Sequence, residues 1–504
     1  MTLISRIFGY ARDVIMAIVF GVNSATDAFF VAFKIPNFLR RLFAEGAFSQ
    51  AFVPVFSEAK EQREPETLKD LVDHVSGSLG MILVLVTALG ILAAPIIISA
   101  FAPGFLNDVP RFNLGVYMLR ITFPYLFFIS LTAMASGILN SMGRFAVPAF
   151  TPALLNLSLI GATLWLAPHL EAPVTALAWG VFIAGWAQLA FQLPFLYRLR
   201  LLPCPKFSLN HEGVRRILRL MVPALFGTSV VQINLLVDTL IASLLAAGSI
   251  SWLYYSDRFV ELPLALFGIA IATVILPRLA RQHARQSPTE FSHTLDWALR
   301  LALLITVPAM LGLIILAGPI LITLIQYRAF SLNDTHMASL SLMAYAGGLP
   351  AFILIKVLAP GFYSRQDTKT PVRVGIIAMG ANILLNVTFT VPWVYFEFIG
   401  PHAGLALATA ISAFLNAGLL YRHLRSAEVY TPRPGWRRLL RQITIAGAVQ
   451  CITLVTMTPK LTSWQPCSIT ERGLTLAGLI TLGAGVYIVS LLIQGVRPNQ
   501  FLSP

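Results

Sequence analysis

Apolar residues in this chain gather into runs of roughly twenty, each long enough to cross a hydrocarbon core of about 30 Å as a helix. Short polar stretches break the runs, and the alternating ten-residue pattern of a membrane barrel does not occur. Fourteen helical spans are predicted, at 2–21, 24–56, 71–102, 112–140, 147–168, 173–197, 220–246, 251–277, 301–326, 337–363, 374–395, 403–421, 443–459 and 473–495. The connections at 21–24 and 246–250 are so short that the helices they join form antiparallel hairpins. Two long basic loops, 198–219 and 422–442, separate six spans, six more and a terminal pair. The expected domains are therefore 1–200, 201–425 and 426–504.

Composition agrees with a polytopic all-α membrane protein. Of 504 residues 57% are hydrophobic and only 12% charged, about half the charged share of a soluble domain. Residues 2–21 contain two arginines and an aspartate and are followed by no small-residue cleavage site, so no cleavable signal peptide is expected. Cys204, Cys451 and Cys467 have neither metal nor disulfide spacing and read as structural.

A net charge of +14 would suit a nucleic-acid binder, but its distribution points elsewhere. The loops 57–70, 141–147, 198–219, 278–300, 364–373 and 422–442 and the tail hold 24 Lys and Arg. The opposite loops hold four: Arg111, Arg328, Lys460 and Arg472. This asymmetry places the first set, and both termini, in the cytoplasm, and no nucleic acid is needed to explain it.

The two halves repeat. Ser141 to Pro148 and Ser364 to Pro371 each run from a serine to a proline that opens the next span, offset by 223 residues. Pro54 and Pro277 share that offset, Tyr197-Arg198 and Tyr421-Arg422 differ from it by one, and Leu-Leu-Asn recurs at 154–156 and 384–386. An even number of spans per repeat preserves orientation, so the repeats are parallel, and two such lobes around a central cavity are a transporter architecture.

Eight basic residues fall inside spans: Arg6, Arg12, Lys34, Arg40, Arg41, Arg120, Arg258 and Lys356. A charge at mid-bilayer costs about 2.5–3.5 kcal/mol on insertion scales, so such groups face a polar interior and mark a pathway. In the first span Ser5, Arg6, Gly9, Arg12 and Asp13 fall on one helical stripe. In the second, Asp27, Lys34, Arg41 and Glu45 share a face of a regular helix, and a kink at Pro36 would turn Asn37 and Arg40 inward instead. The eighth carries Ser251, Asp257, Arg258 and Glu261 ahead of Pro263, with Glu261 placed for a local ion pair to Arg258. Asp13, Asp27, Glu45 and Asp257 are expected to pair with cations and fix helix packing. With Glu261 and Asp238 the acids reach six, still fewer than the cations. A cationic cavity needs an anion, and the planar fork of arginine suits phosphate. Arg12, Arg40 and Arg258, with Arg6, are the expected anion ligands; Arg41 extends to the cytoplasmic face, and Arg120 and Lys356 snorkel or bind.

Other chemistry is thin. No Walker loop is present, so the chain does not hydrolyse ATP itself. There is no Asp-x-Asp pair for a metal–diphosphate site, and the eight histidines are scattered with no H-x-x-x-H, so neither a catalytic residue nor a metal site is expected. The stretch 57–70 mixes both signs and reads as solvated surface.

The segments SRIFGYARD, ATDAFFVAFKIPNFLRRLFAEGAFSQAFVPVF, SWLYYSDRFVELP and LAPGFYSRQDTKTPV resemble the bacterial lipid II flippase family MurJ (MviN). That family belongs to the multidrug/oligosaccharidyl-lipid/polysaccharide exporter superfamily. The similarity spans nearly the whole chain. It implies two six-helix lobes around a cationic cavity for a diphosphate and sugar–peptide head, and a C-terminal helix pair forming a groove for the lipid tail. The family's cavity arginines fall on Arg6, Arg12, Arg40 and Arg258, and its neighbouring polar positions on Ser5, Asp13, Asp27, Lys34, Asn37, Glu45, Ser251 and Glu261. The family's first helix usually begins further upstream, which implies either an earlier start than Met1 or a shortened first helix.

The expected function is export of undecaprenyl-diphosphate-linked muropeptide from the inner to the outer leaflet of the cytoplasmic membrane by alternating access. No cofactor is expected, the drive being the membrane potential or a coupling cation. Expected partners are lipid II, membrane lipids and the cell-wall synthesis machinery. The alternatives are another exporter of the superfamily, moving a drug or a polysaccharide lipid, and a membrane enzyme acting on lipid-linked sugars. A cation surplus disfavours a drug–cation antiporter, and short outward loops disfavour an enzyme.

Overall fold

The computed structural model describes residues 2–61 and 65–497, and within them all side chains except those at 2–4, 43–45, 65, 223–224, 226–233 and 235. Among the described residues the chain is helical, with no strand. It forms two compact units, Met1–Ser251 and Trp252–Pro504.

The first unit contains α1 (Thr2–Phe20), α2 (Ser24–Leu39), α3 (Ser49–Glu61), α4 (Pro65–Leu92), α5 (Ala94–Phe101), α6 (Val109–Thr122), α7 (Tyr125–Ser141), α8 (Ala146–Gly161), α9 (Thr175–Arg198) and α10 (Glu212–Ser243). α7 and α8 pack on α9, α2 on α6, and α1 on α8. The repeat boundary expected at 200/201 follows sequence order; packing carries the unit one helix further, because α10 lies against α3 and the segment before it.

The second predicted span is one continuous helical run with a change of pitch. Asn23 opens α2 by accepting from the amides of Ala25 and Thr26. Pro36 removes the amide that would bond the carbonyl of Ala32. That carbonyl instead accepts from Thr122 Oγ1 of α6 at 3.0 Å. The helix passes through Pro36 and widens to a π-helical segment at Arg40–Phe48 before α3 begins. Phe48, Phe52 and Phe56 then stack in succession, with centroids 5.1 and 5.5 Å apart, and anchor a core shared with Leu71, Ile138 and Ile217. Gly104 admits the close passage of α10's end: a Cβ there would lie 1.9 Å from the Ser243 carbonyl oxygen.

The second unit takes up α11 (Ser249–Pro263), which begins in the first, and continues with α12 (Ile269–Ala284), α13 (Pro288–Ile315), α14 (Ala317–Leu324), α15 (Leu332–Gly347), α16 (Leu349–Tyr363), α17 (Lys369–Tyr395), α18 (His402–Ser426), α19 (Trp436–Met457), α20 (Leu461–Trp464) and α21 (Ile469–Ile493). α18 is the hub, packed on α15, α16 and α17. α19 and α21 pair with each other, and Leu304 of α13 joins Leu439, Ile443, Tyr487 and Leu491 in their core. A buried carboxylate ties this pair down. Asp296 of α13 accepts from Tyr430 Oη at 2.8 Å, Trp436 Nε1 at 2.7 Å and the Arg433 amide at 3.2 Å. Arg300 Nε lies 2.7 Å from its other oxygen.

Eleven helices among the described residues are long and apolar enough to span a membrane, and they coincide with eleven of the fourteen expected spans. The other three expected spans correspond to α1, the α2–α3 run and α10. The first two are dense in charged and polar groups, and many side chains of α10 lie outside the described residues. Leu85, Leu89 and Leu92 of α4, Leu384 and Val391 of α17, and Ile452 and Val455 of α19 stand exposed, as expected of lipid-facing surfaces. Residues 65–70, expected as loop, are the first turns of α4.

Candidate functional site

In the first unit the charged groups of α1 are held against α8. Arg12 is buried, and its guanidinium donates from Nε and Nη2 to Asp13 Oδ1 at 2.9 and 2.6 Å and from Nη1 to Asn156 Oδ1 at 3.0 Å. Asn156 Nδ2 in turn donates to the carbonyl of Ser5 at 3.0 Å. The side chain of Asn156 thus ties one end of the α1 stripe to the middle of it. Ser5 and Arg6 are half-buried.

On α2, Lys34 donates to Thr239 Oγ1 of α10 at 2.8 Å. Arg40 begins the π-helical segment, and both its Nε and Nη2 donate to Asn37 Oδ1, at 2.9 and 2.7 Å. Asn37 and Arg40 are therefore bonded to each other. Arg41 is exposed, as are Arg120 and Lys356. The side chain of Glu45 lies outside the described residues.

Asp27 is fully buried and accepts four hydrogen bonds. Oδ2 takes Arg111 Nη2 at 2.6 Å and the Gly248 amide at 2.7 Å. Oδ1 takes the Ser251 amide at 2.8 Å and Ser251 Oγ at 2.5 Å. Asp27 thereby caps the start of α11 and neutralises a buried arginine whose guanidinium also sits 4.0 Å from the Phe105 ring centroid. Arg111, expected in an outward loop, is instead 5% exposed within the first turn of α6. A carboxylate on α2 rescues it from the cost of burial.

In the second unit, Arg258 Nη1 donates to Glu261 Oε2 at 2.5 Å, the expected i,i+3 pair, and the guanidinium lies 4.8 Å from the Tyr254 ring centroid. Asp257 is exposed. A π-helical turn, Leu264–Gly268, follows Pro263 as another follows Pro36. Along α19 and α21 runs an open apolar groove of about 990 Å³, lined among others by Ile445, Val449, Leu474, Leu482 and Val489.

Two hydrogen-bond partners of these side chains escaped the sequence reading. Arg111 stood one residue outside a predicted span, and Asn156 was noted only as part of the recurring Leu-Leu-Asn. Its signal was a lone carboxamide in an apolar run, at a depth matching Arg12. Among the described residues one group has metal-ligand character: Asp70, His74 and His211.

A bundle of membrane-spanning helices in two units, with arginines buried or half-buried on membrane helices and an apolar groove at one end of the chain, defines a polytopic membrane transporter for an amphiphilic anion. Residues 16–475 match the family model described as lipid II flippase MurJ. A protein of Vibrio cholerae described as a probable lipid II flippase MurJ is 49% identical over 506 residues, covering 99% of this chain and 95% of that one. The lipid II flippase MurJ of Burkholderia cenocepacia is 45% identical, with 99% and 96% covered. A solved lipid II flippase MurJ in an inward closed conformation superposes with a TM-score of 0.79 at 28% identity, covering 97% of this chain and 98% of that one. An inward-facing multidrug transporter of the MATE family shares the fold, with a TM-score of 0.66 at 14% identity over 84% of this chain and 95% of that one. The chain belongs to the lipid II flippase MurJ family.

Proposed function

We propose that this chain carries lipid II from the inner to the outer leaflet of the bacterial cytoplasmic membrane, with both termini in the cytoplasm. The observation that carries the reading is the Arg12 guanidinium, buried on α1 against α8 and set in a fixed orientation by Asp13 and Asn156. A buried cation at this depth, kept in place by hydrogen bonds, is suited to a diphosphate rather than to an apolar cargo. Full-length relatives named as lipid II flippases support the cargo.

Arg12, Arg40 and Arg258 are each assigned as diphosphate ligands, with Arg6 assisting. Ser5, Asn37 and Lys34 line their surroundings. Asp13 and Glu261 orient Arg12 and Arg258, Asp27 and Ser251 hold the start of α11, and Glu45 and Asp257 tune the local charge. The polyprenyl tail lies along the groove of α19 and α21, whose lining is almost wholly apolar. No cofactor takes part. An inside-negative potential favours outward movement of an anion by about 2.3 kcal/mol per charge per 100 mV, and a coupling cation is the other available drive. The cell-wall synthesis enzymes that consume the exported precursor are the expected partners.

Arg12→Ala, Arg40→Ala and Arg258→Ala are each expected to abolish growth support in cells depleted of their own flippase, at unchanged protein level. Survival of the triple variant would refute the assignment. Arg→Lys at the same positions separates bidentate phosphate contact, which lysine cannot make, from bare charge.

A further inference from the structure

We propose that Asp70, His74 and His211 form a binding site for a divalent transition-metal ion of the zinc class, within the first unit and apart from the arginines assigned to the cargo. Three different ligand atoms from these side chains lie within 4.8 Å of one another. Asp70 Oδ2 is 3.2 Å from His74 Nδ1 and 3.3 Å from His211 Nε2. A tetrahedral ion bound at about 2.0–2.1 Å separates its ligands by about 3.3–3.4 Å. Two of the spacings of such a site are thus already present; the His74 ring, whose Nδ1 also lies 2.9 Å from the Asp70 carbonyl, turns out of its stack on His211 to bring both nitrogen lone pairs onto one ion. Two imidazoles and one carboxylate leave a fourth position for water, and this ligand set suits zinc, cobalt or nickel rather than calcium or magnesium.

The frame around these side chains is rigid. Asp70 and His74 are one helical turn apart on α4 and share its face. His211 precedes α10, and the segment leading to it is laid along α4. The Lys206 amide donates to the Asp73 carbonyl at 3.0 Å, the Cys204 amide to Asp73 Oδ1 at 2.8 Å, and Ser78 Oγ to the Ser208 carbonyl at 3.1 Å. Gly77 permits the approach: a Cβ there would stand 2.4 Å from the Lys206 carbonyl oxygen. The His74 and His211 rings stack with centroids 4.5 Å apart and planes within 13°. The backbone that carries the ligands is thus held by its surroundings, and the two rings are what must reorient to take an ion.

The neighbouring charges are compatible with an ion. Lys206 Nζ pairs with Asp70 Oδ1 at 3.2 Å, the oxygen turned away from the imidazoles. It fixes the carboxylate much as outer partners do around established metal sites. Its side chain is half-exposed, and its Nζ also lies 3.9 Å from Asp73 Oδ2. Lys69 is engaged by Asp73. A polar cleft lined by Thr67, Lys69, Asp70, Asp73 and Lys206 opens beside the site and supplies an entry path. Bound metal would add a clasp between the start of α10 and α4, which already share the apolar core of Leu71, Val75, Val214 and Ile217.

The test uses the purified full-length protein without a histidine tag, with Zn²⁺ competed against a chromophoric chelator and Co²⁺ as a spectroscopic probe. One Zn²⁺ per chain is expected, with a rise in thermal midpoint. His74→Ala and His211→Ala should each weaken binding about tenfold or more, while His283→Ala, on α12, leaves it unchanged. If an alanine variant fails to fold, His211→Cys keeps the proposal testable: Co²⁺ should then show a thiolate charge-transfer band absent from the parent. No binding at excess Zn²⁺, or unaltered affinity in the His74→Ala/His211→Ala double variant, would overturn the proposal. Neither result depends on transport, so the flippase reading stands or falls separately.

Discussion

Arg111→Met offers the sharpest test of how the first unit is held together. Arg111 and Asp27 are 5% and 0% exposed, and their charged atoms approach to 2.6 Å. With charge centres about 4 Å apart and an effective dielectric near 20, their attraction is about 4 kcal/mol. Much of this offsets the desolvation of both groups, so the pair itself contributes little net stability. Removing one partner is different: the arginine is gone, but the Asp27 carboxylate remains in a dry site. It keeps the Gly248 amide and the amide and hydroxyl of Ser251, which cannot supply a countercharge. The expected loss is about 3–5 kcal/mol. Asp27→Asn should cost less, about 2–3 kcal/mol, since it leaves Arg111 over the Phe105 ring and removes acceptors from the start of α11. The double variant Asp27→Asn/Arg111→Met should be less destabilised than the sum of the single variants by about 1.5 kcal/mol or more. The assay is SDS-titrated unfolding of the protein in mixed micelles, with all four species compared. A coupling within about 0.5 kcal/mol of zero, the scatter of independent sites, would refute the buried pair.

Further outcomes follow from individual contacts. Asn156→Ala should impair complementation at unchanged protein level because Arg12 loses its contact with α8; Asn156→Asp should be worse, since a second carboxylate would compete with a diphosphate for the same guanidinium. Asp296→Asn should cost about 2–3 kcal/mol in the same unfolding assay and expose α19 to limited proteolysis, because three donors and Arg300 converge on that carboxylate. Glu58 is held below the usual carboxylate range by the hydrogen bond and charge of Arg216. A depressed folded value means that its stabilisation is present above the ordinary carboxylate pKa and fades as pH falls through the lowered one. Glu58→Gln should therefore be slightly less stable than the parent at pH 7 in low salt, and indistinguishable from it in strong acid or high salt, by thermal midpoint.

The fold was legible because the bilayer demands long apolar runs, and eleven of those runs need nothing but length and composition to be recognised. The candidate arginines of α1, α2 and α11 were legible for the converse reason: a charge in such a run is conspicuous. Partners on other helices were not. That Arg12 meets Asn156 depends on α1 lying against α8, a contact across 144 residues that no local pattern encodes. Arg111 was misplaced because a charge at a span's end is the ordinary position for a loop residue, and only burial beneath Asp27 distinguishes it. Asp70, His74 and His211 escaped notice for the same reason. The i,i+4 pair was visible, but the third ligand arrives 137 residues later on a segment whose path is fixed by Gly77 and Asp73.

The prolines connect these levels. A proline inside a membrane helix leaves a carbonyl without its amide in a medium that supplies no water. For Pro36 the orphan is Ala32, and Thr122 of α6 supplies the missing donor at 3.0 Å. The cost of the proline is thereby converted into a specific contact between α2 and α6, the same pair of helices that the Asp27–Arg111 bridge joins nearer the start of each. Pinned at both points, α2 is placed firmly against its neighbour, and the irregularity is passed on to the next turns, where the backbone widens at Arg40–Phe48. A π-helical segment rotates the residues that follow relative to a regular helix, so the 3.6-residue period that grouped Asp27 with Arg41 and Glu45 ceases to apply beyond Leu39. Arg40 is half-buried and bonded to Asn37, while Arg41 is exposed. The difference in burial between two adjacent arginines thus falls where a proline four residues earlier, braced by a threonine on another helix, gives way to a wider helix.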